Sequence, residues 1–206
     1  MQRRLEPELM NGDTQVQAYA AADFSSGDQA TIKAIQRLLS RTSPLPPDPL
    51  VVDLGCGPGN ITLRLAGLFP KARIIGIDGA ESMLAVARER AQQQQLEISF
   101  LCQTLQEVLR GALLGQADLI VSNSLLHHLH QPDLLWMVTR NLAAPGCRTC
   151  TGICGVLLPT LRFNSCSSNT CHRRQRCCST TSLPRWRRPS NLRRWPQSST
   201  GLISTS

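Results

Sequence analysis

Hydrophobic and polar positions along this chain fall into blocks whose period switches at regular intervals. Two early stretches, DTQVQAYAAADF and SGDQATIKAIQRLLSR, have helical spacing, with Ile32, Ile35, Leu38 and Leu39 on one face of the second. The segment SPLPPDP (43–49) ends that helix, because a proline drives the residue before it out of the helical region. From residue 50, short apolar runs alternate with amphipathic segments. LVVDLG (50–55) predicts a short buried strand, and ARIIGID (72–78), ISFLC (98–102) and ADLIVSN (117–123) predict the second, third and fourth strands. Between them, ITLRLAGLF (61–69), AESMLAVARERAQQQ (80–94) and LQEVLRGALL (105–114) predict helices, the first with Asn60 as N-cap. A further helix over 132–143 carries an apolar stripe of Leu134, Leu135, Val138 and Leu142. Such alternation builds βαβ units, and therefore an α/β fold with a doubly wound, mostly parallel sheet of about five strands.

The pattern is lost after Gly146. CRTCTGICGVLL (147–158) still reads as a strand, but beyond Pro159 the apolar residues are isolated among Ser, Thr, Cys, Arg and Pro. Such a segment buries too little apolar surface to offset its ordering entropy, so residues 159–206 are expected to be a disordered tail. The expected layout is a helical cap over 1–49, a core over 50–158 and the tail.

Charge and cysteine divide at the same place. All 14 acidic residues lie at or before Asp133, and the first 146 residues hold 12 basic ones, for a net charge of −2. The remaining 60 residues hold 10 arginines and no acid, and seven of the nine cysteines fall between Cys147 and Cys178. The basic character therefore belongs to the tail. Three readings of it remain open. Arg173 and Arg174, with Arg185, Arg187, Arg188, Arg193 and Arg194 interleaved with Trp186 and Trp195, suit a nucleic-acid-binding arm. Cys147-x-x-Cys150 suits half of a metal site, but no clean second pair follows. A shifted reading frame accounts for a change this abrupt inside a βα unit, and it is the favoured reading. Without an apolar leader or a run of about 20 apolar residues, a soluble, cytoplasmic protein with reduced thiols and no membrane span is expected.

The candidate chemistry sits where the first strand meets its helix, at Val51-Val52-Asp53-Leu54-Gly55-Cys56-Gly57-Pro58-Gly59-Asn60. Glycines at that turn let a ligand approach the backbone, and the helix start offers N–H donors. In a doubly wound sheet the crevice at the carboxyl ends of the strands is where ligands bind. The glycines run G-x-G-x-G, and Asp53 precedes the first by two positions. A carboxylate there repels a pyrophosphate but suits a cationic ligand. S-adenosyl-L-methionine presents an ammonium for Asp53 and a carboxylate for the turn amides. Asp78, at the end of the second strand, can accept hydrogen bonds from both ribose hydroxyls, or it can cap the following helix.

These segments resemble the class I S-adenosylmethionine-dependent methyltransferases, especially their small-molecule branch. VVDLGCGPGN is similar to the family's first motif, IIGIDGAESML (74–84) to its ribose-binding segment, ADLIVSNSLLHHL (117–129) to its fourth-strand motif, and AAPG (143–146) to the turn before its fifth strand. The resemblance covers about residues 13–150. It implies a Rossmann-like sheet of seven strands in the order 3-2-1-4-5-7-6, of which this chain supplies five at most through residue 158. The family's last two strands are then lacking, and weakened activity is expected. It further implies a cofactor site of Asp53, Gly55, Cys56, Gly57, Asn60, Asp78, Gly79, Met83, Thr104 and Asn123, where Gly55, Gly57 and Asn60 line the methionine end. Asp78 would hold the ribose, Met83 would pack near the adenine, and Asn123 would lie beside the transferred methyl. Two departures stand out: Gln103-Thr104 replaces an acidic residue after the third strand, and Cys147 replaces the second glycine of a Pro-Gly-Gly turn.

The acceptor is expected to be a small molecule. His127 and His128, after the fourth strand, are the weak candidates for orienting or deprotonating it; packing in a loop is the blander role for both. His127, His128 and His130 lack an acidic or thiol partner for a metal, and none is expected. Tyr19 can serve as a lid over the cofactor or as ordinary packing.

Overall fold

The computed structural model describes Leu9, residues 12–153 and Val156–Leu157. Helices α1 (Asp13–Ala21) and α2 (Ser25–Ser40) precede the alternating part. There, β1 (Leu50–Leu54), α3 (Asn60–Leu68), β2 (Arg73–Asp78), α4 (Glu81–Gln93) and β3 (Ile98–Cys102) follow one another. Next come α5 (Leu105–Val108), β4 (Ala117–Asn123), α6 (Asp133–Leu142), β5 (Ala143–Ile153) and β6 (Val156–Leu157).

The sheet order is β3-β2-β1-β4-β5-β6. The first five strands pair in parallel, and β6 pairs antiparallel with the end of β5. This is the α/β, Rossmann-like architecture expected, with one short strand more than about five. The 147–158 run is not one strand. Its first part continues β5 directly out of α6, and the chain then folds back as β6.

The inner strands β1, β2 and β4 read as continuous apolar runs because both faces of the sheet are covered there, whereas the edge strand β3 has no fully buried residue. On one face Val52, Leu54, Ile75, Ile77 and Ile120 pack with Leu135, Val138 and Leu142 of α6. On the other, Val51, Ile74, Leu119 and Val121 pack with Ile32 and Ile35 of α2 and Ile61 and Leu65 of α3. Each such buried Leu, Ile or Val contributes roughly 1.5–3 kcal/mol, so the two layers fix the strand ends and with them the crevice.

Two elements depart from the sequence pattern. The helix expected over 105–114 stops at Val108. Thr104 and Glu107 form a capping box at its start, but Gly111 and the left-handed Gly115 (φ +71°) supply no reason to continue. The AAPG turn is a register irregularity at the start of β5, with Gly146 at φ +80°. Beyond it, Cys147, Thr149, Cys150 and Thr151 are buried in the sheet, so the change of composition does not stop the strand. Small, β-compatible side chains suit that position.

The tail beyond residue 157 lies outside the described residues, and with it the disorder and nucleic-acid readings; Cys147 and Cys150, by contrast, lie in β5 and pack into the core on opposite faces of the sheet, so they do not make a metal-ligand pair. Among the described residues no helix is long and apolar enough to cross a membrane, and no group of three His, Cys, Asp or Glu is arranged to hold a metal ion.

Candidate functional site

Parallel pairing sets the site. Leu54 of β1 lies opposite Ile77 of β2, and Asp53 opposite Val121 of β4. Continuing both registers brings Asp78 and Asn123 to the two sides of Gly55. Beyond β1 the chain turns through three left-handed glycines, Gly55 (φ +68°), Gly57 (φ +52°) and Gly59 (φ +84°). Gly55 and Cys56 donate their N–H groups to the Ile77 carbonyl at 2.8 and 3.0 Å, and Gly59 donates to the Cys56 carbonyl at 3.0 Å. A Cβ on Gly55 would stand 2.8 Å from Leu125 Cδ1, whereas one on Gly57 would meet nothing within 4 Å. Gly55 is therefore packed, and Gly57 faces open space.

Asp78 closes the turn from the β2 side. Its Oδ2 accepts the Gly57 N–H at 2.8 Å and its Oδ1 the Ala80 N–H at 2.9 Å. Burial raises its pKa, while the bonds from Ala80 and Gly57 pull the other way. A carboxylate has about four lone-pair sites, so each oxygen keeps capacity for a hydroxyl. The helix-capping and ligand-binding roles of Asp78 are thus compatible.

Asp53 takes a different place from the one its sequence position suggests. It is 1% exposed beneath the turn, and Thr62 of α3 donates to its Oδ2 at 2.6 Å. Burial raises its pKa to about 7; the Thr62 bond opposes the rise, and the charges of Asp78 and Asp28 add to it. Asp53 supports the turn from behind and is not a wall of the cavity. Nor are Cys56 and Asn60. Cys56 is buried, with its thiol pKa pushed up by burial. Asn60 is the first helical residue, not the N-cap: left-handed Gly59 takes the cap position, and the Asn60 Oδ1 accepts from Arg90 Nη1 at 2.8 Å.

The cavity opens at the carboxyl ends of β1, β2 and β4. Of the residues expected from sequence, Gly55, Gly57, Asp78, Gly79, Met83, Thr104 and Asn123 line it, together with His128 and Tyr19. Met83 is buried against Val16 of α1, and Tyr19 packs beside it. Thr104 is held by its capping box, with Glu107 Oε2 accepting from both its N–H and its hydroxyl. Asn123 Oδ1 accepts from Thr31 of α2 at 3.3 Å. The two histidines separate: His128 faces the cavity, while His127 is exposed and stacks on it with ring centroids 4.1 Å apart.

Sequence reasoning passed over Ser124 and Leu125, which also line the cavity. Ser124 adopts φ +59°, an uncommon conformation for a non-glycine residue, and donates its N–H to Gly152 of β5 at 2.9 Å. No local sequence signal marks either residue; both are set by the neighbouring strand. The buried carboxylate Asp28, 3.8 Å from Arg64 Nε, was missed for the same reason. Its partner comes from another helix.

The lining suits S-adenosyl-L-methionine: an open cradle at Gly57, a strand-end carboxylate with spare acceptor capacity, and the apolar Met83 beside it. No triphosphate-sized cluster of cationic side chains competes with that reading among the lining residues.

Comparison with known proteins agrees with this geometry. Residues 51–146 match a family model described as a methyltransferase domain. A trans-aconitate 2-methyltransferase of Variovorax paradoxus is 42% identical over 130 residues, covering 62% of this chain and 44% of that protein. A malonyl-[acyl-carrier protein] O-methyltransferase of Bacillus anthracis is 41% identical over 92 residues, covering 45% of this chain and 31% of that protein. The chain thus spans less than half the length of these relatives. Among solved structures, a Methanococcus maripaludis protein described as a putative S-adenosyl-L-methionine-dependent methyltransferase superposes with a TM-score of 0.60 at 16% identity, covering 75% of this chain and 68% of that one. At that identity the likeness concerns the fold.

Proposed function

Residues 51–146 belong to the class I S-adenosylmethionine-dependent methyltransferase family, and from that premise we propose that this chain transfers a methyl group from S-adenosyl-L-methionine to a small carboxylic acid. The observation that carries the reading is Asp78, whose carboxylate stands at the end of β2 with Gly57 and Ala80 bonded to it and Met83 close by. When bound, the cofactor supplies an activated methyl on a cationic sulfur.

The protein's part is positioning. Asp78 accepts the ribose hydroxyls, Gly79 and Thr104 border the nucleoside, and Met83 packs against the adenine. Gly55 and Gly57 leave room for the methionine end. Asp53, Cys56 and Asn60 act from behind the turn by holding its shape. Asn123, at the end of β4, lies on the side where the methyl is delivered. In-line displacement depends mainly on the alignment of nucleophile and methyl, so His128 orients the acceptor from the cavity wall and no dedicated base is required. His127 supports the ring of His128.

The acceptor class follows from the names of the two relatives, each of which contains a carboxylic acid. A carboxylate is already an anionic nucleophile at neutral pH, which accords with a site poor in bases. The helical segment 1–49 acts as a cap, with α1 bordering the cavity and α2 covering the sheet, on a core of 50–158. A cytoplasmic setting accords with the free thiols of Cys56, Cys102, Cys147 and Cys150.

Calorimetric titration of the full chain with S-adenosylhomocysteine and with a nicotinamide dinucleotide tests the cofactor. Heat from the first and none from the second is expected; the reverse pattern overturns the reading. Transfer of labelled methyl to a panel of di- and tricarboxylic acids then tests the acceptor.

A further inference from the structure

Arg90 stands in the last turn of α4, away from the cavity wall. Its guanidinium nevertheless joins two other parts of the chain that border the site. Nη1 donates to the Pro58 carbonyl at 3.0 Å and to Asn60 Oδ1 at 2.8 Å, and Nη2 donates to the Ala20 carbonyl at 2.7 Å. Pro58 and Asn60 belong to the glycine turn. Ala20 lies in the last turn of α1, where the backbone carbonyls have no helical partner of their own.

Helix α1 is short and packs mainly through Val16 and Tyr19, against Ala80, Met83 and Val86. It is nine residues long, its N-cap Gly12 makes no side-chain capping bond, and Val16 is its one fully buried apolar residue. Isolated helices of that length are marginal in water. Yet α1 carries Tyr19, which lines the cavity and packs its ring 4.8 Å from that of Phe24. A planar fork with five donors can serve acceptors in separate directions at once, which an ammonium on a flexible stem does less well.

We propose that Arg90 is a positioning residue that seats α1, and with it Tyr19, against the glycine turn, so that the cavity wall and the turn are coupled. Its consequence for cofactor affinity rests on the function proposed above; the seating of Tyr19 does not.

The chain has a single tyrosine, so full-length protein labelled with fluorotyrosine gives one fluorine resonance, from Tyr19. In Arg90→Ala, and in the milder Arg90→Lys, which keeps the charge and loses the fork, that resonance should shift or broaden in ligand-free protein. Folding is checked by circular dichroism, and Arg90→Lys carries the test if Arg90→Ala fails to fold. S-adenosylhomocysteine affinity should fall about tenfold in either variant, the scale of a lost hydrogen bond to a charged group. Tyr19→Ala should weaken binding similarly, and adding Arg90→Lys to it should cost little more, because coupled residues are not additive. An unchanged resonance in folded Arg90→Lys, or additive losses in the double variant, overturns the proposal. If the wild-type chain ignores S-adenosylhomocysteine while the Arg90 variants still show the resonance change, the proposed function is overturned and the seating role is supported.

Discussion

The carboxylate of Asp78 accepts the backbone N–H of Gly57 at 2.8 Å, tying the end of β2 to the turn that follows its neighbour β1. The same side chain holds Ala80 at the start of α4. One residue therefore shapes both the glycine turn and the entry of the next helix.

Asp78→Asn keeps one carbonyl acceptor and removes the charge. S-adenosylhomocysteine affinity should fall at least about tenfold with the fold retained, while Asp78→Ala should also lose roughly 1 kcal/mol of stability, since two part-buried N–H groups lose their acceptor. Calorimetry and urea denaturation measure the two effects separately. Unchanged affinity in folded Asp78→Asn would remove Asp78 from the site.

Gly55 and Gly57 share the left-handed conformation but not the surroundings, so alanine at each should fail differently. Gly55→Ala forces a Cβ to within 3.0 Å of three carbons of Leu125, which cannot all swing away because its own Cβ is among them. A stability loss of roughly 2 kcal/mol or more is expected from backbone strain plus overpacking. Gly57→Ala meets nothing within 4 Å and should cost only about 1–2 kcal/mol for its backbone. Its methyl projects into the cradle, so it should bind S-adenosylhomocysteine poorly while still folding. Equal denaturation midpoints for the two variants would contradict this placement.

Asp53 predicts a pH dependence with a definite sign. Burial holds its folded pKa near 7, against an ordinary value of 3.8. The folded state therefore retains a proton that the unfolded chain releases. The stability this contributes is complete below about pH 4 and is lost as the pH rises through about 7. Asp53→Asn lacks the titration, so wild type should lose roughly 1–3 kcal/mol relative to the variant between pH 5 and 8. Urea midpoints at several pH values check it, and parallel curves for the two proteins would count against a buried, titrating Asp53.

Cysteine protection tests β5. Cys147 and Cys150 are 1% and 2% exposed, and burial pushes their thiols up to about 12 and about 11. Cys56 is also buried, whereas Cys102 is exposed. Under a short pulse of alkylating reagent, peptide mapping should find Cys102 labelled well before these three. Early labelling of Cys147 and Cys150 would show that the strand is not seated in the sheet.

Much of this molecule was legible from local pattern. Apolar runs at 50–55, 72–78 and 117–123 became β1, β2 and β4 because a strand covered on both faces has no polar side to conceal, while 98–102 became the edge strand β3, none of whose residues is fully buried. The stripe Met83, Leu84, Ala87 and Ala91 is the buried face of α4. The glycines of the turn needed left-handed conformations, and glycine is the residue that supplies them. Less legible were features without a local cause. The helix after Thr104 ended early, Asn60 ceded its capping position to Gly59, and the 147–158 strand divided into parts of two.

By itself, the sequence determined the alternation of elements, the parallel sheet and the position of the crevice, since periodicity and turn chemistry act over a few residues. Only the tertiary structure decided which side chains reach that crevice. Burial behind the turn withdrew Asp53 from the cavity, strand register delivered Ser124 and Leu125 to it, and a guanidinium on α4 found acceptors 30 and more residues away. Those outcomes depend on contacts between distant segments, and no short-range pattern encodes the distance between them.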